Sequence, residues 1–302
     1  MTHSQNLIYK ILKNITLATL LSVSSLSAHN FWINSFESFT HKPGHITVGL
    51  GWGHSMPIDD ILNSPNGKVI VESFTITSPK GGITKLDIPT SKIKEPTKKT
   101  NAFDVYSADV ALQKIALKKD SPKGIYKLEA KSKPTFYTAF IDKKNKKRFK
   151  LKSKDKIKNI KKIIFSVEYQ ALATSYLALK KWETPKASNK GLEIIPKTNL
   201  SNIKVGDLVE FEVLFMGKPI EYNPPSKMDY ILASSPSFDK GRDFSLVSFI
   251  KNGKAQFLAK SSGQWIVNCY YKGQVTKDGV LKDKYGKIDY DIQAASLTFN
   301  VK

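Results

Sequence analysis

The chain has 302 residues, 40% hydrophobic and 25% charged, a balance that excludes a disordered polymer and leaves room for two globular cores. Its 48 lysines and arginines against 26 aspartates and glutamates give a formal net charge of +22, which raises an anionic partner as a question. The single cysteine, Cys269, cannot form an internal disulfide, so each core must hold by packing alone.

Residues 1–28 read as a secretory signal peptide. Lys10 and Lys13 precede an apolar stretch from Ile15 to Leu26 that is too short and too serine-rich for a spanning helix, and small residues follow. Cleavage after Ala28 makes His29 the first mature residue, and the expected location is the periplasm. For an exported, lysine-rich protein the expected anionic partner is a membrane or polymer surface and not nucleic acid. No later stretch is apolar enough for a spanning helix.

After the leader the chain reads almost wholly as strands and turns. His29 to Gly53 is a hairpin: apolar and aromatic residues alternate from Phe31, Lys42-Pro43-Gly44 reverses the chain, and ITVGLGWG returns it. Val69–Thr77 is β-branched and closed by Pro79, Gly81 and Gly82; Asn101–Leu117, Gly124–Lys131 and the aromatic PTFYTAFID from Pro134 continue the pattern. Lys143 to Lys162 is a dense cationic run, expected as a hydrated tip or loop and as the place where an anionic surface would be met. In FSVEYQALATSYLALKKW, Tyr169, Leu172, Ala173, Tyr176 and Lys180 fall at helical spacing, so one short helix is expected near residues 166–181.

WETPKASNK, from Trp182 to Lys190, reads as a linker. It divides the expected N-terminal β domain, residues 29–188, from a C-terminal immunoglobulin-like sandwich, residues 189–302. In the latter Val209, Phe211, Val213 and Phe215 share a face, as do Trp265, Val267, Cys269 and Tyr271, and Leu297, Phe299 and Val301. Asn252-Gly253 between two apolar runs signals a hairpin. Cys269 is then a small core residue. The fold class is all-β, two β-sandwich domains with one short helix.

The chemistry is narrowed by the histidines. Outside His3 in the leader, all of them, His29, His41, His45 and His54, lie in one stretch at the mature start. Catalysis finds little support: no GxSxG elbow, no carboxylate pair with distinctive spacing and no phosphate loop is present, and Gly49, Gly51 and Gly53 suit a bulge or close approach beside His54.

The second half, with GLEIIPKTNL at Gly191, VLFMGKPI at Val213, SGQWIV at Ser262 and AASLTFNVK at Ala294, resembles a family of exported proteins of unknown function associated with nickel or cobalt uptake. The first half agrees: Ala28, His29 and Trp32 are similar to that family's mature start, and Gly53, His54, Ser55, Met56 and Pro57 to its Gly-His-x-x-Pro motif. The resemblance implies that His29 and His54 are family positions, whereas His41 and His45 fall where ordinary polar residues are usual.

A free amine and an imidazole on His29 can chelate one ion, His54 on a neighbouring strand can complete a three-nitrogen site, and Asp59 or Asp60 can add an oxygen. Such nitrogens suit nickel, cobalt, copper and zinc. His45 and His41, flanking the turn, are weaker candidates. The expected function is a non-enzymatic periplasmic carrier of nickel or cobalt serving an inner-membrane or outer-membrane transporter. The alternatives are a histidine-brace copper enzyme acting on polysaccharide, and a metal-free sandwich adhesin.

Overall fold

The computed structural model describes residues 29–64, 67–90, 95–220, 229–238 and 245–302. The expected signal peptide lies outside the described residues. The strands of the three larger sheets are β1 (Asn30–Ser38), β2 (His45–Gly53), β3 (Val71–Thr77), β4 (Ile83–Lys85), β5 (Gln113–Ala116), β6 (Gly124–Ser132), β7 (Thr135–Asp142), β8 (Lys147–Lys150), β9 (Ile160–Leu179), β10 (Leu192–Pro196), β11 (Leu208–Phe215), β12 (Lys218–Pro219), β13 (Tyr230–Ser234), β14 (Leu246–Phe249), β15 (Lys254–Leu258), β16 (Gly263–Gln274) and β17 (Tyr290–Val301). The protein is all-β, as expected.

A ten-stranded sheet runs β14-β13-β16-β17-β9-β6-β3-β4, with β7 and β8 extending from β9. A three-stranded sheet, β1-β2-β5, and a four-stranded one, β10-β11-β12 with β15 on β11, pack against it. Side-chain alternation along β17 shows how. Ile292 and Ala294 join the core with Phe31, Ile33, Val48 and Leu50, while Ala295, Leu297, Phe299 and Val301 join the core with Val209, Phe211 and Val213. Because successive residues of a strand point to opposite faces, the large sheet is a shared wall with one smaller sheet on each side. Each fully buried aliphatic side chain in these cores contributes roughly 1.5–3 kcal/mol.

The helix expected over residues 166–181 is not formed; that segment belongs to β9, a strand of 20 residues. The physical reason is double-sided burial. Val167, Tyr169, Ala171, Ala173, Leu177 and Leu179 fill one core at period two while Tyr176 fills the other; Tyr169, Leu172, Ala173 and Tyr176 also fit a helical spacing, and pairing with β6, β7 and β17 decides for the strand. On one edge β9 pairs antiparallel with β7 and then β6; on the other it runs parallel to β17, from Val167↔Tyr290 to Ser175↔Thr298.

The Asn252-Gly253 turn forms as expected, with both residues at positive φ and paired backbone bonds between Lys251 and Lys254. Its arms do not form a hairpin ladder. β14 pairs with β13 in the large sheet and β15 with β11 in the four-stranded sheet, so the turn carries the chain from one layer to the next. Between β9 and β10, residues 180–190 are extended coil held at one end by buried Glu193, which accepts the amides of Ser188 and Asn189, both at 2.9 Å.

Candidate metal centre

The site follows from the register of the first hairpin. β1 and β2 face each other from Asn30↔Gly53 to Ser38↔His45, residue numbers adding to 83 throughout. One step beyond Gly53 and Asn30 the same rule sets His29 against His54. Their ring centroids lie 4.3 Å apart at a tilt of 47°. His29 also stacks on Trp52, at 5.2 Å and 11° between planes. Trp52 of β2 and His54 just beyond its end thus both lie against the His29 ring.

Asp59 fixes the second ring. Its Oδ2 accepts the His54 backbone amide at 2.7 Å and lies 3.0 Å from His54 Nδ1. A carboxylate at that distance holds the proton on Nδ1 and leaves the lone pair on Nε2, the arrangement seen behind metal-binding imidazoles. Gly53 makes the approach possible: its φ is +131°, and a Cβ there would stand 2.6 Å from Asp59 Oδ2. The glycine expected to allow close approach beside His54 does so here.

The loop after His54 is pinned to β1. Trp32 lies against the backbone of Gly51, where a Cβ would come within 2.1 Å of the indole. Its Nε1 donates to Asn34 Oδ1 at 3.1 Å and to the Pro57 carbonyl at 3.3 Å, which also accepts Asn34 Nδ2 at 2.8 Å. Met56 packs with Trp32 and with Ile266 of β16, and the Tyr270 hydroxyl donates to Asn30 Oδ1. Both termini of the hairpin are therefore held against the large sheet.

Burial lowers the His29 pKa below its usual 6.5, and the neighbouring His54 lowers it further, against upward pulls from Asp60 and Asp59. The ring is neutral at neutral pH, the form that can donate a lone pair. Asp60 is placed by its amide, which donates to the Trp52 carbonyl at 3.0 Å, and its Oδ1 accepts the Ile61 amide at 2.7 Å.

Of the six residues singled out from the sequence, the structure brings together His29, His54 and Asp59, with Asp60 beside them. His41 and His45 are at the opposite end of the hairpin, separated from His54 by the nine-residue length of β2, or about 31 Å at 3.4 Å per residue. They cannot share an ion with the pair. Among the described residues no group of three or more His, Cys, Asp or Glu side chains gathers as a metal cage. Cys269 faces a core and its thiol is pushed up to about 12, by burial first, so it is neither a ligand nor a nucleophile.

Trp52, Asn34 and the backbone of Pro57 are site residues that sequence reasoning passed over. Period-two spacing from His54 to Trp52 was the available signal for the first; the others carry no local one. Residues 26–273 match a family described as a domain of unknown function, DUF4198. No curated protein matches the chain.

Proposed function

The chain belongs to the DUF4198 family, whose function is unknown, and we propose that it is an exported protein that captures one divalent transition metal, nickel or cobalt, at His29 and His54. The observation that carries this reading is the pairing of two imidazoles 4.3 Å apart with a carboxylate behind one of them. The donor set fits the ion. Neutral imidazole nitrogen is a ligand for nickel, cobalt, copper and zinc, and Asp59 leaves Nε2 of His54 available.

With only two side chains in reach, the third nitrogen is the His29 α-amine, which leader cleavage after Ala28 would free. Few ligands and an exposed His54 suit an ion that is handed on to a transporter more than one locked in place. The lysine-rich β7–β8 arm, whose β8 residues are all exposed, gives the protein an approach to the anionic membrane surface where such a transporter lies.

Calorimetric titration with Ni²⁺ and Co²⁺ tests the reading. The chain beginning at His29 is expected to bind one ion, His29→Ala and His54→Ala to lose the tight site, and His41→Ala and His45→Ala to retain it. Extending the chain by Ala28 converts the amine to an amide and should cost nearly as much as His29→Ala. Undiminished affinity in His54→Ala removes the proposal.

A further inference from the structure

At the far end of the hairpin from His54, a cleft of about 1130 Å³ opens between the two halves of the chain. Its floor is apolar: Phe36, Phe39, Pro43 and Leu179 line it, and Phe36 and Phe39 remain 51% and 45% exposed. Six lysines surround that floor, Lys42, Lys118, Lys119, Lys123, Lys180 and Lys302, against one lining carboxylate, Glu37; Asp120, in the same turn as Lys118, is not among the lining residues. None of the six is in an ion pair with a described residue.

The walls are built, not incidental. Phe39 lies over Gly44, where a Cβ would meet its ring at 2.5 Å, and the Gly44 carbonyl accepts the Leu117 amide at 3.0 Å. Ser121 Oγ accepts the Lys118 amide at 2.9 Å while the Ser121 amide donates to the Lys118 carbonyl at 3.1 Å, fixing the turn that carries Lys118 and Lys119 and leads into Lys123. Lys302 Nζ donates to the Ser201 carbonyl at 2.9 Å, and Asn300 Nδ2 to the Ser35 carbonyl at 3.2 Å.

We infer that this cleft is a second binding site, for a small molecule carrying two or more negative charges on an aromatic or flat apolar body. Exposed aromatic rings inside a concavity offer stacking and apolar contact, and a ring of unpaired ammonium groups around a low-dielectric floor focuses positive potential onto it. The volume is somewhat above the roughly 300–1,000 Å³ usual for small-ligand sites, room enough for a body of several fused rings. Glu37 is one carboxylate against six lysines, so the lining stays cationic; burial raises its carboxyl pKa, with Lys302 partly offsetting this. The site is separate from the histidine pair and holds whether or not that pair binds metal.

Equilibrium binding of a pyrene trisulfonate dye to the full chain, followed by fluorescence, tests the inference, with inorganic tripolyphosphate and neutral pyrenemethanol as comparison ligands. The dye is expected to bind one to one, at least roughly tenfold more tightly than either comparison, because only it uses floor and rim together. The Lys118→Gln/Lys119→Gln/Lys123→Gln variant should weaken the dye roughly tenfold or more, and Phe36→Ser should weaken it while leaving tripolyphosphate unchanged. Lys147→Gln/Lys150→Gln, which removes charge on β8, should have no effect on it. Equal binding of tripolyphosphate, or equal losses from the β8 variant, would reduce the effect to net charge and overturn the site.

Discussion

Thr298 donates its hydroxyl to the carbonyl of Ile33 at 2.6 Å, joining two residues 265 apart in sequence, both fully buried. It is one rung of three: Ser296 serves the Phe31 carbonyl at 2.6 Å and Asn300 the Ser35 carbonyl at 3.2 Å. The edge of β1 not paired with β2 is thus satisfied by side chains of β17 instead of by another strand. A free edge is covered and the hairpin that carries His29 and His54 is locked on the central sheet. Thr298→Val keeps the shape and strands the carbonyl, so urea unfolding should show a loss of about 1–3 kcal/mol. A change near zero would mean that water replaces the hydroxyl.

Gly53→Ala should separate the site from the fold. The substitution puts a side chain at φ +131° and a Cβ 2.6 Å from Asp59 Oδ2, so Asp59 must withdraw from His54. A destabilisation of about 1–3 kcal/mol is expected, together with a larger proportional loss of metal affinity. Metal titration beside thermal unfolding separates the two; retained affinity would show that Asp59 is not what orients His54.

The His29 ring should titrate below 6.5, because burial and His54 both disfavour its charged form. The unfolded chain then holds more protons than the folded one between the folded value and 6.5, so stability rises with pH across that window and levels off above it. NMR of the ring protons locates the midpoint. Trp52→Ala, which uncovers the ring, should bring it back toward 6.5, and a midpoint already at 6.5 in the wild type would contradict the burial argument.

Lys284 should be the most costly single lysine to remove. It reaches Glu168 at 3.0 Å and Asp291 at 3.1 Å, carboxylates that face each other on the parallel strands β9 and β17 and are nearly closed to solvent. Burial works to lower its pKa, but Asp291 and Glu168 together raise it above 10.5. Its contribution is therefore present in full below about 10.5 and fades as pH rises through the higher folded value. Lys284→Met leaves two buried carboxylates uncompensated, an expected loss of about 3–5 kcal/mol by denaturant unfolding at neutral pH. A loss under 1 kcal/mol would show the pair to be solvated.

The β7–β8 arm should bind anionic vesicles in a salt-dependent way. Lys147, Arg148, Phe149 and Lys150 are all exposed, Phe149 and Leu151 at 53% and 63%, which joins cationic charge to apolar surface. Replacing Lys143, Lys144, Lys146 and Lys147 with glutamine should weaken vesicle sedimentation with little change in stability, since exposed charges contribute little to folding. A wild type that fails to sediment with vesicles at low salt would end the idea.

Much of this was legible in the residues. Alternation along Val209–Phe215 and Leu297–Val301 gave strands and their buried faces because a half-buried strand writes period two into its sequence. The confinement of the histidines to one hairpin, with His29 at its start and His54 at its end, pointed to the pair, and the register then sets the two opposite each other. The 160–179 segment did not declare itself: its period-two run of Val167, Tyr169, Ala171 and Ala173 is joined by Leu172 and Tyr176 on the other face, so a helical spacing fits as well. Nor could Asn252-Gly253 tell that its two arms part into different sheets, because a turn specifies its own dihedrals and not the partners of the strands it joins.

What the sequence by itself determined is local: β-strand character, the turn positions, the confinement of imidazoles to one hairpin and the excess of lysine. What only the tertiary structure decided is every relation between distant segments. The shared central sheet, the hydroxyl rungs from β17 to β1 and the lysine-rimmed cleft at the other end of the hairpin all depend on which strands become neighbours. Backbone dihedral preference and side-chain period act over a few residues, whereas these contacts form only when burial of two large apolar faces brings segments more than a hundred residues apart into register.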